Sequence, residues 1–327
     1  MRKYIVGLYA SSPTLFNWDV HKEQLYFDAI KAERLQIRGL ELPFWGNNLH
    51  PFDDEFLLAN LQSEWEHVLT CIPGTMTSLG KDLHFGLSSN LESSRKRAIE
   101  MYERANQGVL KLNSSFARQN VLAVHISSAP RPRFGSIKQL IKSLNEISAW
   151  DWGGAKLVIE HCDSGLGAFK PIKGFFSIED EIQAIQSAQH SKTELGLTVN
   201  WGRSVIEHRS PGGAIRHLEA ARESGFLSGL IFSGTSEEKT EYGVWGDLHM
   251  PVAREQGISH YEAKSLLTLE NMKASLLAAD FSKLDYVGIK VLAMPIEAAS
   301  LSRRVGVNRD SLVILDQAYK ALELGTN

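Results

Sequence analysis

The chain is predicted to fold as an α/β protein, a single (β/α)8 barrel domain running over residues 1–327. Three observations carry that expectation. Eight short apolar segments alternate with longer, charge-bearing segments, the order expected of parallel strands separated by helices. The segments tend to turn ionisable at their carboxyl ends, most plainly in residues 156–165, K-L-V-I-E-H-C-D-S-G. There residues 157–160 read as a buried strand that breaks into Glu160, His161, Cys162 and Asp163. Ligands of parallel α/β sheets sit just beyond such strand ends. Finally, no linker separates the repeating units, and barrels of this length are common as single domains. An open doubly wound sheet is the main alternative. No G-x-G-x-x-G follows the first strand to support a dinucleotide-binding version of it.

In chain order, residues 4–10 read as the first strand, and the loosely periodic Leu25, Phe27, Ile30 and Leu35 mark a helix over 19–35. Strand two is 36–42, closed by Pro43, with an excursion over 44–54 rich in Trp and Asn. Strand three is 66–72, broken by Pro73-Gly74. A charge-dense helix over 90–112 opens at Asn90, followed by strand four at 121–125 and a helix over 136–149. Strand five is the opening stretch. Its loop, 164–174, leads to a helix over 177–190, and strand six is 196–200, running out into Trp201-Gly202-Arg203. Pro211-Gly212-Gly213 starts a helix, and strand seven is 228–233. The next loop reaches Pro251, a length that points to function rather than mere connection. A helix over 260–278, strand eight at 287–291 and a helical tail over 296–324, broken at 305–310, complete the pattern.

Composition excludes several classes. Hydrophobic residues make up 43% and charged residues 22%, ordinary for a soluble globular protein. Net charge is -3 with no basic run, which disfavours tracking along a nucleic-acid backbone. Two cysteines, Cys71 and Cys162, without C-x-x-C, indicate neither a disulfide framework nor a zinc knuckle and fit a reducing cytoplasm. The first apolar run is interrupted by Gly7 and followed by Ser11-Ser12-Pro13, so it reads as a strand rather than a signal peptide. No run approaches the roughly 18 apolar residues of a membrane span. The expected partner is therefore a small molecule, with neither nucleic acid nor membrane, and an assembly of identical chains is left open.

The strand ends also carry a family likeness. I-R-G-L-E-L over 37–42 resembles the glycine-x-glutamate strand of the xylose isomerase-like TIM barrels, the superfamily of sugar isomerases, epimerases and endonuclease IV, and places Glu41 at a strand end. Strand four ends in His125, where the endonuclease-like branch has a metal-binding histidine, and strand five in Glu160, where the family has its bridging glutamate. W-G-D-L-H-M-P over 245–251 is similar to the D-x-H pair of endonuclease IV, in Asp247 and His249. The resemblance implies a single xylose isomerase-like barrel and an enzyme of carbohydrate metabolism. Its candidate metal ligands are His125, Glu160, Asp247 and His249.

The departures bear on chemistry. Where the family has D-x-G-H after strand six, this chain has N-W-G-R, so Asn200 and Arg203 replace two ligands. Strand seven ends near Ser233 instead of a histidine, and Lys290 stands nearest the usual glutamate of strand eight. Charged Arg and Lys offer no lone pair to a cation, so a standard multinuclear site is not expected. Arg203 and Lys290 can instead hold a substrate carboxylate or phosphate, or stabilise an enediolate oxygen. Lys290 with a lowered pKa could also form a Schiff base. Glu160 and His125 are the expected acid and base for moving a proton next to a carbonyl.

Each candidate also has a purely structural reading. Glu160 can pair with Arg203, His125 can be a bonded core histidine, and Arg203 and Lys290 can be salt-bridge partners inside the barrel. Glu41 can order the loop above it or join Asn200 in holding substrate. Trp45, Trp201 and Trp245, all expected in strand-end loops, can stack on a sugar ring or cover the barrel. His161, Cys162 and Asp163 lack an oxyanion motif and are not expected to form a nucleophilic site.

The leading expectation is a cytoplasmic sugar isomerase- or epimerase-like enzyme acting on a small polar, anionic sugar or sugar acid. It requires no cofactor, or else one divalent metal, zinc or manganese. The alternatives are a metal-dependent hydrolase of the endonuclease IV type and a non-catalytic sugar-binding barrel.

Overall fold

The computed structural model describes residues 2–165, 169–189 and 192–325. Its sheet is a closed barrel in which strands one to eight follow one another in chain order. The elements are β1 (Tyr4–Val6), a 3-10 turn (Leu8–Ser11), α1 (Val20–Ala32), β2 (Ile37–Pro43), α2 (Asp54–Asn60), β3 (His67–Thr70) and α3 (Ile72–Leu79). They continue as α4 (Glu92–Ser115), β4 (Val121–Ile126), α5 (Ile137–Ser148), β5 (Lys156–His161), α6 (Ile178–Ser187), β6 (Leu195–Asn200) and α7 (Trp201–His208). Last come α8 (Pro211–Glu223), β7 (Leu227–Phe232), α9 (Leu269–Ala278), β8 (Tyr286–Ile289) and α10 (Leu301–Gly325). This is the (β/α)8 barrel that the alternation of segments predicts. The strands are buried almost throughout, as expected where helices cover a parallel sheet.

By packing, the chain divides into two compact units. One is Glu41–Thr198 with Glu223–Ser228, and the other is Met1–Leu40, Val199–Arg222 and Gly229–Asn327. In the first unit, Ser136 and Ser177 start α5 and α6 by accepting hydrogen bonds from the amides of Gln139 and Asp180. In the second, Asp19 and Thr268 do the same for α1 and α9.

Several boundaries differ from those the sequence predicts. β1 stops at Val6, and residues 8–11 form a 3-10 turn. Helices α2 and α3 occupy stretches to which the sequence reading assigns no helix. Pro73 does not break the chain there but sits in the first turn of α3, where a missing N–H costs nothing. Trp201-Gly202-Arg203 is no loop, because Asn200 caps α7 directly at the end of β6. The predicted helix over 177–190 is shorter, and its last residue lies outside the described residues, as do 166–168 of the loop after β5.

The largest difference concerns residues 260–268 and 305–310, where helix and break are exchanged. The tail continues unbroken through 305–310, while 260–268 is not helical. Amides within 260–268 are committed outside any helix, that of Glu262 to the Val252 carbonyl and that of Leu266 to the Thr235 carbonyl. The Asp310 carboxylate accepts from the backbone amides of Ser259 and His260, at 2.9 and 2.6 Å, and so ties the start of this loop to α10. Gly306 is there for close packing, since a Cβ would lie 2.4 Å from the His260 ring.

Burial works to raise the Asp310 carboxyl, but bonds from Arg309, Ser259 and His260 outweigh it and hold the group below the usual aspartate range. A depressed folded pKa gives stability that is present above about pH 3.9, the unfolded value, and is lost as pH falls through the folded one. Urea unfolding between pH 3 and 7 is therefore expected to show a steeper acid-side loss in the wild type than in Asp310→Asn. Parallel curves would remove this role.

Candidate active site

The strand register places one set of side chains together. In the ladder of the first unit Glu41 pairs with Val68, Thr70 with His125, and His125 with Val158. Side chains alternate along a strand, so Glu41, Thr70, His125 and Glu160 share one face of the sheet. Glu41, His125 and Glu160 are all buried, and one ligand atom from each lies within 4.8 Å of the others. His125 Nδ1 is 3.5 Å from Glu160 Oε2, and the Thr70 hydroxyl donates to that same oxygen over a long 3.4 Å. Two carboxylates and an imidazole in one buried group are a donor set for a divalent cation and equally an acid–base set. Thr70 was not predicted, and no motif marks it. Only the register reveals it.

The metal ligands expected from sequence are thus partly regrouped. His125 and Glu160 are joined by Glu41, whereas Asp247 and His249 do not belong to this three-residue group. In the second unit Asp247 instead meets Arg203, whose Nε is 3.3 Å from Asp247 Oδ2, with both side chains buried. His249 Nδ1 stands 3.8 Å from Asp247 Oδ1. Arg203 therefore brings its positive charge to a carboxylate of its own unit.

Asn200 accepts from the Arg203 amide and from the Ser233 hydroxyl, the latter at 2.9 Å, so its side-chain oxygen holds the start of α7. Lys290 follows β8 directly and is buried, with Nζ 5.9 Å from the centre of the Tyr9 ring. That is a cation–π distance.

The three tryptophans separate. Trp201 is a correction: it begins a helix, is fully buried, and its indole donates to Ser275 of α9 at 2.9 Å. Because Asn200 caps α7 directly at the end of β6, Trp201 is the first residue of the helix rather than part of a loop, and its indole reaches α9. Trp45 and Trp245 do lie in loops after β2 and β7, half-buried, and Trp245 is stacked by Arg209 at 5.3 Å.

The residues after Glu160 have local duties. His161 Nδ1 lies 2.8 Å from Glu181 Oε2, whose other oxygen accepts from Ser128 at 2.5 Å. Cys162 is buried, and Asp163 accepts from the amides of Ile172 and Lys173. Burial pushes the thiol of the other cysteine, Cys71, well above its ordinary range.

A family model described as "Domain of unknown function (DUF4862)" matches residues 5–307. The chain belongs to that family. A relative, Uncharacterized protein STM3670 of Salmonella typhimurium, is 33% identical over 321 residues, 97% of this chain and 98% of its own.

Among solved structures, the chain is similar to the IOLI protein with a binding zinc atom, at TM-score 0.58 and 12% identity over 96% of this chain and 99% of that one. It is similar to D-psicose 3-epimerase in the presence of D-fructose, at 0.57 and 13% over 98% and 99%. A putative xylose isomerase from Rhodospirillum rubrum gives 0.58 and 11% over 97% and 99%. At such identities the likeness is one of fold, the closed (β/α)8 barrel.

Removing one partner of a buried ion pair strands the other charge, at a cost of about 3–5 kcal/mol. With a bond as long as 3.3 Å between them, Arg203→Met is expected to lose about 3 kcal/mol in urea unfolding. Adding Asp247→Asn should recover part of that loss, and additive losses would show that the pair is not coupled.

Proposed function

We propose that this protein is a sugar isomerase- or epimerase-like enzyme that moves a proton on the carbon next to a carbonyl of a small polar sugar or sugar acid. The observation that carries the reading is the buried group of Glu41, His125 and Glu160 on one face of β2, β4 and β5. Such a reaction needs a base to take a proton and an acid to return one. Two carboxylates in one group allow Glu160 to take it and Glu41 to return it. His125 Nδ1, 3.5 Å from Glu160 Oε2, stabilises that carboxylate by charge when the imidazole is protonated. Burial excludes bulk water and strengthens each of these interactions.

The same three residues suit one divalent ion, zinc or manganese, because they supply two anionic oxygens and one imidazole and no cation. When bound, such an ion would supply polarisation of the carbonyl oxygen. Each carboxylate has two oxygens, so holding an ion with one leaves the other to exchange a proton. Lys290 remains the positive group proposed for a sugar acid. Arg203 acts at one remove, since its charge is offset by Asp247.

The test is proton exchange in deuterated water, followed by NMR over a panel of ketoses, aldoses and sugar acids, with metal content measured in parallel. Deuterium is expected at the carbon next to the carbonyl. Glu160→Gln should slow its entry by about 100-fold or more, the usual weight of a positioned base. The group of Glu41, His125 and Glu160 should retain about one equivalent of zinc or manganese, and Glu160→Ala should hold one equivalent fewer than the wild type. Binding of a sugar that survives Glu160→Gln, with no exchange by the wild type, would favour a non-catalytic barrel. Hydrolysis in place of exchange would favour the metal-dependent hydrolase.

A further inference from the structure

In the second unit a different set of side chains meets where α7 turns into α8. Helix α7 ends at His208. Arg209 then takes a left-handed conformation with φ of 50°, and the reversed chain carries His217 back about two turns into α8. His208 Nε2 and His217 Nε2 stand 3.0 Å apart. Glu207 Oε1 lies 4.0 Å from the first and 3.9 Å from the second.

A lone pair of imidazoles sharing a proton accounts for the shortest of these distances. The Glu207 carboxylate faces the same two nitrogens at distances longer than a hydrogen bond. Three atoms with these separations define a triangle whose circumscribed circle has a radius of about 2.1 Å. One point is therefore about 2.1 Å from all three, the length of zinc bonds to imidazole nitrogen and carboxylate oxygen.

The surroundings are those of a built site. His217 Nδ1 lies 2.9 Å from the Ser204 hydroxyl, one turn back on α7, which fixes the ring with Nε2 toward the other two residues. Gly213 makes room for His208, because a Cβ there would sit 2.5 Å from the histidine's own Cβ. The side chains of Glu207 and His217 are 8% and 5% exposed, while that of His208 is 31% exposed and gives an ion a way in.

We propose that Glu207, His208 and His217 form a second divalent-cation site, selective for zinc or a similar transition metal, with Ser204 as its orienting residue. Two histidines and one carboxylate leave at least one position for water. An ion there would tie the end of α7 to α8 and so hold in place the helix that carries Arg203.

The test is calorimetric titration of zinc chloride into chelator-stripped, full-length protein carrying His125→Asn and Glu160→Gln, which disables the group at β4 and β5. One equivalent is expected to bind. His208→Asn added to it should weaken zinc by more than about 100-fold, and Ser204→Ala by about 10- to 100-fold, the usual effect of losing an orienting partner. Absence of binding, or unchanged affinity with His208→Asn, overturns the site. Should the combined variant not fold, zinc content of the wild type against His208→Asn alone decides it. The variant is expected to hold one equivalent fewer, and equal content overturns the proposal.

Discussion

In a parallel ladder, residues in register project to the same side, and the next position on that side is two residues along the strand. Everything proposed for the first unit depends on this constraint. Because Thr70 faces His125 and His125 faces Val158, Glu160 cannot point away from His125. Glu41 is held to the same side through Val68. Three ionisable side chains are thereby brought together by backbone hydrogen bonds that would form with any side chains attached. A slip of one residue in any strand would turn its member to the opposite side and disperse the group.

Charge compensation is the second theme. Burying an ionic group is tolerated when a partner or several hydrogen bonds meet it. Arg203 meets Asp247, His161 meets Glu181, and Asp310 meets two amides and Arg309. These pairings change the meaning of residues that look catalytic in isolation. An arginine replacing a metal-binding histidine suggests an anion site, yet here it neutralises a carboxylate that the family likeness would have assigned to metal. The departure at Arg203 and the retained Asp247 make sense together, as one ion pair.

The tail shows the same logic acting on the backbone. A stretch reading V-G-V-N-R-D has the weak helix propensity of a break, but Val305 and Val307 are buried and Asp310 anchors a neighbouring loop. Packing and side-chain bonds outweigh a propensity deficit of a few tenths of a kcal/mol per residue.

The sequence by itself determined the order of the eight strands, the parallel sheet and, β1 apart, the neighbourhood in which each strand ends. Those follow from local periodicity and from apolar runs that stop at ionisable residues, as at His125 and Glu160. Glu41, too, was legible from its place in I-R-G-L-E-L. Tertiary structure alone decided which of these residues meet. The replacement of Asp247 by Glu41 beside His125 and Glu160 depends on register, and the burial of Trp201 depends on where a cap starts a helix. Helices α2 and α3 escaped notice because each is short and Pro73 reads equally as a breaker or a helix start. Glu207, His208 and His217 carry no spacing signature. Their meeting is produced by one left-handed residue, Arg209, and by the packing of two helices, neither of which is written in any local pattern of the chain.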